Sequence, residues 1–427
     1  MHHRNLTCPA PRPDLDTDVP ALLIRLDQNP FHHGTLGAVR SLGRAGIEVH
    51  TLVESPASPV NRSRYVHRAH RWPSGGPSTA RLYMTLCQVA ERIGRRAVLV
   101  PMDDVSAIVV AALEERLADS YLMAGQPPGL PERVADKAEL ARVCHATGVP
   151  HPTTVIPESA DEAADAAAGL GTPVVAKWSR PWLLPRATGL RSTTLVHTPD
   201  EARALFEQSG RAGSRLLLQR HLAGGRDTDW FFHGCFGEGA VCLIGGAGRK
   251  ELSWPVGTGL TAVGTWLPND EVEATSRKLA ERLGYRGILD LDYRRDHATG
   301  TYHLLDFNPR PGAQFRLFTD GAGLDVVRAL HLDLTGRQVE VPLPQPGRVF
   351  VAENYALLSG MATAAATGPR IRTRRGRTRR LYRSPETAWF ASDDPAPFAA
   401  MTAAWLGRGG MKGLRRLRPR PTIVAAL

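Results

Sequence analysis

The sequence predicts an α/β fold, and three features carry that reading. The stretch "ALLIRLDQNPFHHGTLGAVRSLGRAGIEVHTLVE" runs from an apolar segment of strand length through a polar turn into Leu36, Val39, Leu42 and Ala45 at helical spacing, and ends in a short apolar run, Val49 to Val53. Next, "AVLVPMDD" at 97–104 places Asp103 and Asp104 at the carboxyl end of a strand, where open α/β sheets commonly meet ligands. Further along, Gly287 to Tyr293 and Thr301 to Phe307 read as strands flanking the hairpin loop "RRDHATG".

The first hundred or so residues form a βαβ pattern of Rossmann-like type. Gly34 and Gly37 do not complete G-x-G-x-x-G, which argues against a dinucleotide site. A helix is predicted at "DKAELARVCHATGVPHPTT", opened by Asp136 and closed by Gly148, where left-handed geometry favours glycine. "TPVVAKWSR" reads as a short strand delivering Lys177, and "TPDEARALFEQS" as a helix. "RLLLQRHLAGGRDTDWFFHG" reads as strand, tight Gly-Gly connection and strand. A glycine-rich region, "IGGAGRKELSWPVGTGLTAVG", then leads to a helix at "NDEVEATSRKLAERLG".

Composition narrows the class. A chain of 427 residues, 42% hydrophobic, can fill two or three cores. It has no apolar run of membrane-spanning length and no apolar stretch of signal-peptide type near its start, which predicts a cytoplasmic protein. Five scattered cysteines without a C-x-x-C pair argue against a disulfide framework or a zinc site. The net charge of +11 belongs to the end of the chain: from Arg370 onward there are 14 Lys or Arg and 3 acids, so residues 1–369 carry 39 of each sign. A neutral body leaves no basic groove for nucleic acid, and no nucleic-acid partner is expected.

In "HLLDFNPRPG" an acid, an amide and an arginine follow at every second position. If the two strands pair antiparallel, Asp292 and Asp306 share a face, and Asn308 joins them by the period-two rule. Three hard oxygen donors suit Mg²⁺ shared with nucleotide phosphates. A half-buried polar hairpin is the plainer alternative.

These segments resemble the ATP-grasp ligases. The resemblance spans about residues 20–345 and is nearest to carboxylate-amine ligases of the D-aspartate ligase type, on "GTLGAVRSLGRAGIEV", "DKAELARVCHATGVPHPTT", "LLQRHLAGG", "GRKELSWPVGTG" and "LLDFNPRPG". It implies a flexible N-terminus over 1–20, a Rossmann-like pre-ATP-grasp domain over 21–130, a two-part ATP-grasp domain over 131–345 and a basic C-terminal extension over 346–427. It implies ATP and Mg²⁺ or Mn²⁺ as cofactors, with Asp292, Asp306 and Asn308 as metal ligands. Lys137 and Lys177 fall on the family's nucleotide lysines, Gln219, Arg220, His221 and Leu222 on the hinge along the adenine, and Asp227, or failing that Asp229, on the acid for the ribose hydroxyls. Two departures stand out: Arg220 replaces a common glutamate, and "WSRPWLLPRATGL" has one glycine where relatives carry a small-residue phosphate lid. Arg180, Arg186 and Arg191 either close over ATP by charge or belong to a solvated loop.

The chemistry of such a site is ligation. A carboxylate becomes a competent electrophile once the γ-phosphoryl group of ATP converts it to an acyl phosphate, and bringing two anions together calls for cations. Arg310 is a candidate for stabilising the tetrahedral oxyanion, or else pairs with Asp306. Arg249 and Lys250 are candidate phosphate or acyl-phosphate contacts, or a surface pair. Substrates would be a small carboxylate and an amine, amino acids or peptides among them, and the resemblance allows a homodimer. Alternatives are the same site with another nucleophile, or a nucleotide-regulated binding protein.

The last segment carries eight arginines in 370–383 and six basic residues in "GRGGMKGLRRLRPRP". Trp389, Phe390, Phe398, Met401 and Trp405 lie between them. Such a tail could lie on the anionic inner membrane face or take an acidic acceptor, or its helix could pack back on the body.

Overall fold

The computed structural model describes residues 12–55, 57–72, 78–225, 227–255, 259–367 and 385–417. Three sheets organise them. The first is all parallel, in the order β3-β2-β1-β4-β5, built from β1 (Ala21–Ile24), β2 (Val49–Val53), β3 (Val66–Arg71), β4 (Ala97–Pro101) and β5 (Tyr121–Leu122). Every residue of β1 and β2 is buried, as expected of strands covered by helices on both faces. The helix read at Leu36–Ala45 spans His33–Arg44, and its apolar stripe packs into the core with Val49, Phe315, Phe318 and Leu330.

A small antiparallel sheet follows in the order β6-β9-β7-β8: β6 (Thr154–Val155), β7 (Val174–Trp178), β8 (Thr193–Val196) and β9 (Leu216–Arg220). The helix Lys137–Thr147 leads into it. Asp136 caps that helix by accepting the Ala138 and Glu139 N–H groups, and Gly148 closes it at φ 62°, both as read from the sequence.

The third sheet has seven strands in the order β14-β13-β10-β11-β12-β15-β16: β10 (Asp229–Phe236), β11 (Cys242–Trp254), β12 (Leu260–Trp266), β13 (Gly287–Arg295), β14 (Tyr302–Asn308), β15 (Val349–Val351) and β16 (Glu386–Thr387). The strands read on either side of Gly224-Gly225 thus belong to different sheets, and the connection crosses between them rather than closing a hairpin. The glycine-rich region is β11, packed under aromatic rings. A Cβ at Gly248 would lie 2.6 Å from the Phe231 ring, so the absent side chain makes room for the core.

Two ends of the chain are more integrated than the sequence suggested. Within 12–20, His331 Nε2 is 2.9 Å from the Val19 carbonyl, and Asp14 and Asp16 pair with Arg337. Within 346–427, β15 and β16 are strands of the large sheet. Trp389 is fully buried, and Asp394 accepts from buried Arg40 at 2.9 Å while also holding Ser63 Oγ and Arg64 N–H. Met401 is buried, and Phe398 and Trp405 pack against the same core, so most of the aromatic anchors face the body. The helix Ala396–Leu417 takes the packing-back arrangement along this stretch. The arginine run 370–383 lies outside the described residues, as does 418–427. Among the described residues no helix is long and apolar enough to cross a membrane.

Candidate active site

A cavity of about 600 Å³ opens between the small and the large sheet, of a size that takes a cofactor or substrate. The β13–β14 hairpin forms its floor. Asp292 stands opposite Asp306 and Asp290 opposite Asn308, so alternation puts all four side chains on one face. The sequence reading named three of these and missed Asp290. Its "ILDLDY" carries the signal, since Asp290 and Asp292 are two apart.

The lysines come from three directions. Lys137 Nζ, at the first turn of the helix after Asp136, is 2.8 Å from Asp306 Oδ1. Lys177, carried in by β7, lies 3.5 Å from the same oxygen and donates to the Leu305 carbonyl at 3.0 Å. Lys250 Nζ, from β11, is 2.7 Å from Asp292 Oδ1. Burial alone would raise the Asp306 carboxyl, but the Lys137 and Lys177 ammoniums hold it well below the ordinary carboxylate range. Burial lowers Lys177, with Asp306 opposing. Burial would also lower Lys137 and Lys250, yet Asp306 and Asp292 respectively leave both raised.

Arg310 joins the hairpin to the first sheet. It lies 3.2 Å from Asp104 Oδ1 and 3.3 Å from Asp290 Oδ2, and donates to Asn308 Oδ1 at 3.1 Å. Its ion-pair partners are therefore Asp104 and Asp290. Gly312, on the same turn, admits His233 and Asp290: a Cβ there would meet the His233 ring at 1.9 Å. Asp290 is pushed up to about 7 by burial and then by the Asp292 carboxylate, with Arg310 and Lys250 opposing. His233 Nε2 lies 3.2 Å from Asp290 Oδ1 but is brought down to about 3 by burial, then by Arg310 and Lys250, so it stays neutral and lends no charge.

Of the remaining candidates, Asp229 lines this cavity and the others lie off it. Arg249 neighbours Lys250 on a strand and so points away from it; it pairs with Asp227 at 2.6 Å and Glu251 at 2.8 Å. Asp229, the second choice for the ribose acid, lines the cavity and holds Arg294 at 2.7 Å, whereas Asp227 is on the outer side with Arg249. Gln219 is buried, with its amide donating to Thr154 Oγ1 at 3.1 Å; Arg220 pairs with Asp296 at 3.0 Å. The Leu222 carbonyl accepts from Arg294 at 3.1 Å, and His221 directly precedes Leu222 on the crossing segment. Arg180 is taken by Asp136 and Glu132, at 2.8 and 3.1 Å, and Arg191 is exposed; the Arg186 side chain lies outside the described residues. Asp103 is structural: it caps the helix Asp104–Ala112 and accepts the Leu26 and Asp27 N–H groups.

Comparison with solved structures shows the fold. The chain matches N5-carboxyaminoimidazole synthetase from Staphylococcus aureus complexed with ADP at a TM-score of 0.60, 13% identity, covering 79% of this chain and 83% of that one. It matches the biotin carboxylase domain of Hydrogenobacter thermophilus 2-oxoglutarate carboxylase, in complex with MgADP, ADP and bicarbonate, at 0.58 and 15% identity, covering 77% and 73%. The chain has the ATP-grasp fold. Sequence relatives are remote. The large chain of carbamoyl phosphate synthase from Deinococcus radiodurans is 25% identical over 313 residues, 69% of this chain and 28% of that protein. The one from Methanocorpusculum labreanum is 23% identical over 335 residues, 74% of this chain and 30% of that protein. The ATP-grasp chain thus spans less than a third of the length of these two relatives. No family model matches it.

Proposed function

We propose that this chain is an ATP- and Mg²⁺-dependent ligase that activates a carboxylate as an acyl phosphate and joins it to an amine, releasing ADP and phosphate, in the manner of the D-aspartate ligase type. The observation that carries the reading is the meeting of Lys137, Lys177 and Lys250 with Asp292, Asp306, Asp290 and Asn308 in one cavity of this fold. The acid–amide set fits Mg²⁺ or Mn²⁺: all donors are hard oxygens, and Asp290 Oδ1 is buried without a hydrogen bond. When bound, the metal neutralises charge on the transferring phosphates.

The chain's own groups then divide the remaining work. Lys137 and Lys177 shift from Asp306 to the α- and β-phosphates. Lys250 takes the γ-phosphoryl group and the acyl phosphate made from it. Arg310, held by Asp104 and Asp290, steadies the oxyanion formed when the amine attacks. The crossing segment Gln219–Leu222 borders the adenine, with the ribose on Asp229. The unassigned basic segments would meet an anionic membrane face or an acidic acceptor, and the chain would act as a homodimer.

ADP release measured with Mg²⁺ against a panel of amino acids, short peptides and other carboxylates, with mass spectrometry of the product, tests the reading. An amide formed with one ADP per bond supports it. ADP release that needs bicarbonate and forms no amide replaces it with carboxylation, which the bicarbonate-bound neighbour favours as the second reading. The absence of any substrate-dependent ADP release refutes both.

A further inference from the structure

The cavity draws on the carboxyl ends of the first sheet, through Asp104 beyond β4. At the amino end of that sheet a separate cluster forms. Glu48, just before β2, His50 within β2 and His67 in β3 bring three potential ligand atoms within 4.8 Å of one another. His50 Nε2 is 2.8 Å from Glu48 Oε1, and His67 Nε2 is 3.9 Å from the same oxygen.

An irregularity in the ladder makes this meeting possible. The pairing of β2 with β3 slips between Val49↔Val66 and His50↔Arg68, which leaves His67 without a partner across the ladder. In a regular strand His67 and Arg68 point to opposite faces, and only Arg68 would share a face with His50. A bulge re-aims the extra residue. The His67 ring centroid comes to 5.3 Å from that of His50.

Two outer contacts then orient the ligands. His50 is 2% exposed, and its Nδ1 lies 3.0 Å from Nε2 of His70, itself 4% exposed. The bridging proton can reside on either ring, so His50 can offer a bare Nε2 without losing its partner, the arrangement usual for a metal-bound imidazole. Arg95 Nη2 holds Glu48 Oε2 at 2.8 Å, which leaves Oε1 facing both rings. The Arg95 charge weakens attraction for a cation, so the site is of moderate rather than extreme affinity.

We infer that Glu48, His50 and His67 form a binding site for a divalent first-row transition ion, best matched by Zn²⁺, with a solvent molecule as fourth ligand and His70 as the outer partner of His50. Two imidazoles with one carboxylate suit Zn²⁺, whereas Mg²⁺ and Ca²⁺ take all-oxygen sets. Zinc bonds of about 2.0–2.2 Å in a tetrahedron place ligand atoms roughly 3.3–3.6 Å apart, so the main adjustment falls on His67. Its side chain is 60% exposed and free to make it. The ion pins edge strand β3 to β2 and does not touch the reaction.

The test uses the full chain, stripped with EDTA and then titrated with Zn²⁺ by calorimetry in millimolar Mg²⁺ and ATP, and separately with Co²⁺ by visible absorption. One Zn²⁺ per chain should bind with a micromolar constant despite the Mg²⁺. His67→Ala and Glu48→Gln should each weaken it about tenfold or more. Both variants should keep ADP release unchanged, and both should lose the four-coordinate Co²⁺ band. Two outcomes overturn the assignment: His67→Ala binding Zn²⁺ as tightly as the wild type, or Zn²⁺ displaced by Mg²⁺-ATP, which would place the ion in the cavity.

Discussion

The β13–β14 hairpin carries two rungs, two residues apart, with opposite electrostatics. On the outer rung Asp292 faces Asp306 directly, an arrangement of like charges that costs stability unless it is balanced. Three lysines balance it, and Asp306 stays ionised. On the inner rung Asp290 faces a neutral amide, beside a neutral imidazole, with Arg310 at 3.3 Å shared with Asp104. Burial wins there, and the carboxyl rises to about 7. The outer rung holds cations it can lend to phosphates. The inner rung lacks a full counter-charge, and a divalent ion bound beside both would supply it.

Removing the balanced acid should have the largest effect. Asp306→Asn leaves Lys137 and Lys177 without the charge that positions them and deletes a proposed metal ligand. Turnover should fall roughly 1000-fold or more, about 4 kcal/mol in activation free energy, with circular dichroism unchanged. Asp292→Asn should follow closely. Near-wild-type ADP release from either variant removes the outer rung from the reaction.

The inner rung is tested by pH. An unfolded aspartate titrates near about 3.9, so between there and about 7 the folded, metal-free chain holds a proton that the unfolded chain has lost. The stability linked to Asp290 is therefore complete below about pH 4 and is lost as pH rises toward 7, on the order of 4 kcal/mol in all. Asp306 has the reverse sign, its contribution being lost only as pH falls below the unfolded value. Asp290→Asn should flatten the decline in urea midpoint between about pH 4 and pH 7. An unchanged slope would place that titration on another group.

These rungs show what the sequence could and could not disclose. Period-two spacing was enough to put Asp306 and Asn308 on one face, because alternation is local, while Asp292 joined them only through the antiparallel pairing assumed for the hairpin. Asp290 shares the face of Asp292 by the same alternation, but its place under Arg310 required the Asp290↔Asn308 register. Asp104 reaches Arg310 from the start of the helix after β4, more than 200 residues away in the chain, and no local pattern encodes such a contact. Helix ends at Asp136 and Gly148 were legible because caps are local chemistry. The burial of Trp389 and Asp394 was not, for a basic sequence on either side hid a buried ion pair with Arg40.

The lysines sharpen the outer rung further. Lys177→Ala removes a buried charge-assisted donor, worth about 1.5–3 kcal/mol, and should raise the apparent ATP constant about tenfold to a hundredfold. Lys137→Ala should act in the same direction but more mildly. Isothermal titration with a non-hydrolysable ATP analogue separates this from turnover. Unchanged affinity in both variants would sink the nucleotide assignment.

The smallest effect should come from Arg249, next to a residue whose loss should be severe. Lys250 and Arg249 are neighbours on β11, and alternation gives Lys250 to Asp292 and Arg249 to Asp227 and Glu251. Lys250→Ala strips the counter-charge from the outer rung and should cut turnover strongly. Arg249→Ala breaks a partly exposed pair whose acid, Asp227, is 50% exposed, and such pairs contribute about 0–1 kcal/mol. Its ADP release should match the wild type, with a small loss in melting temperature that shrinks in high salt as the pair is screened. If Arg249→Ala lowers turnover as far as Lys250→Ala does, the strand turns over in the working enzyme and the cavity-facing side of β11 has been assigned to the wrong residue.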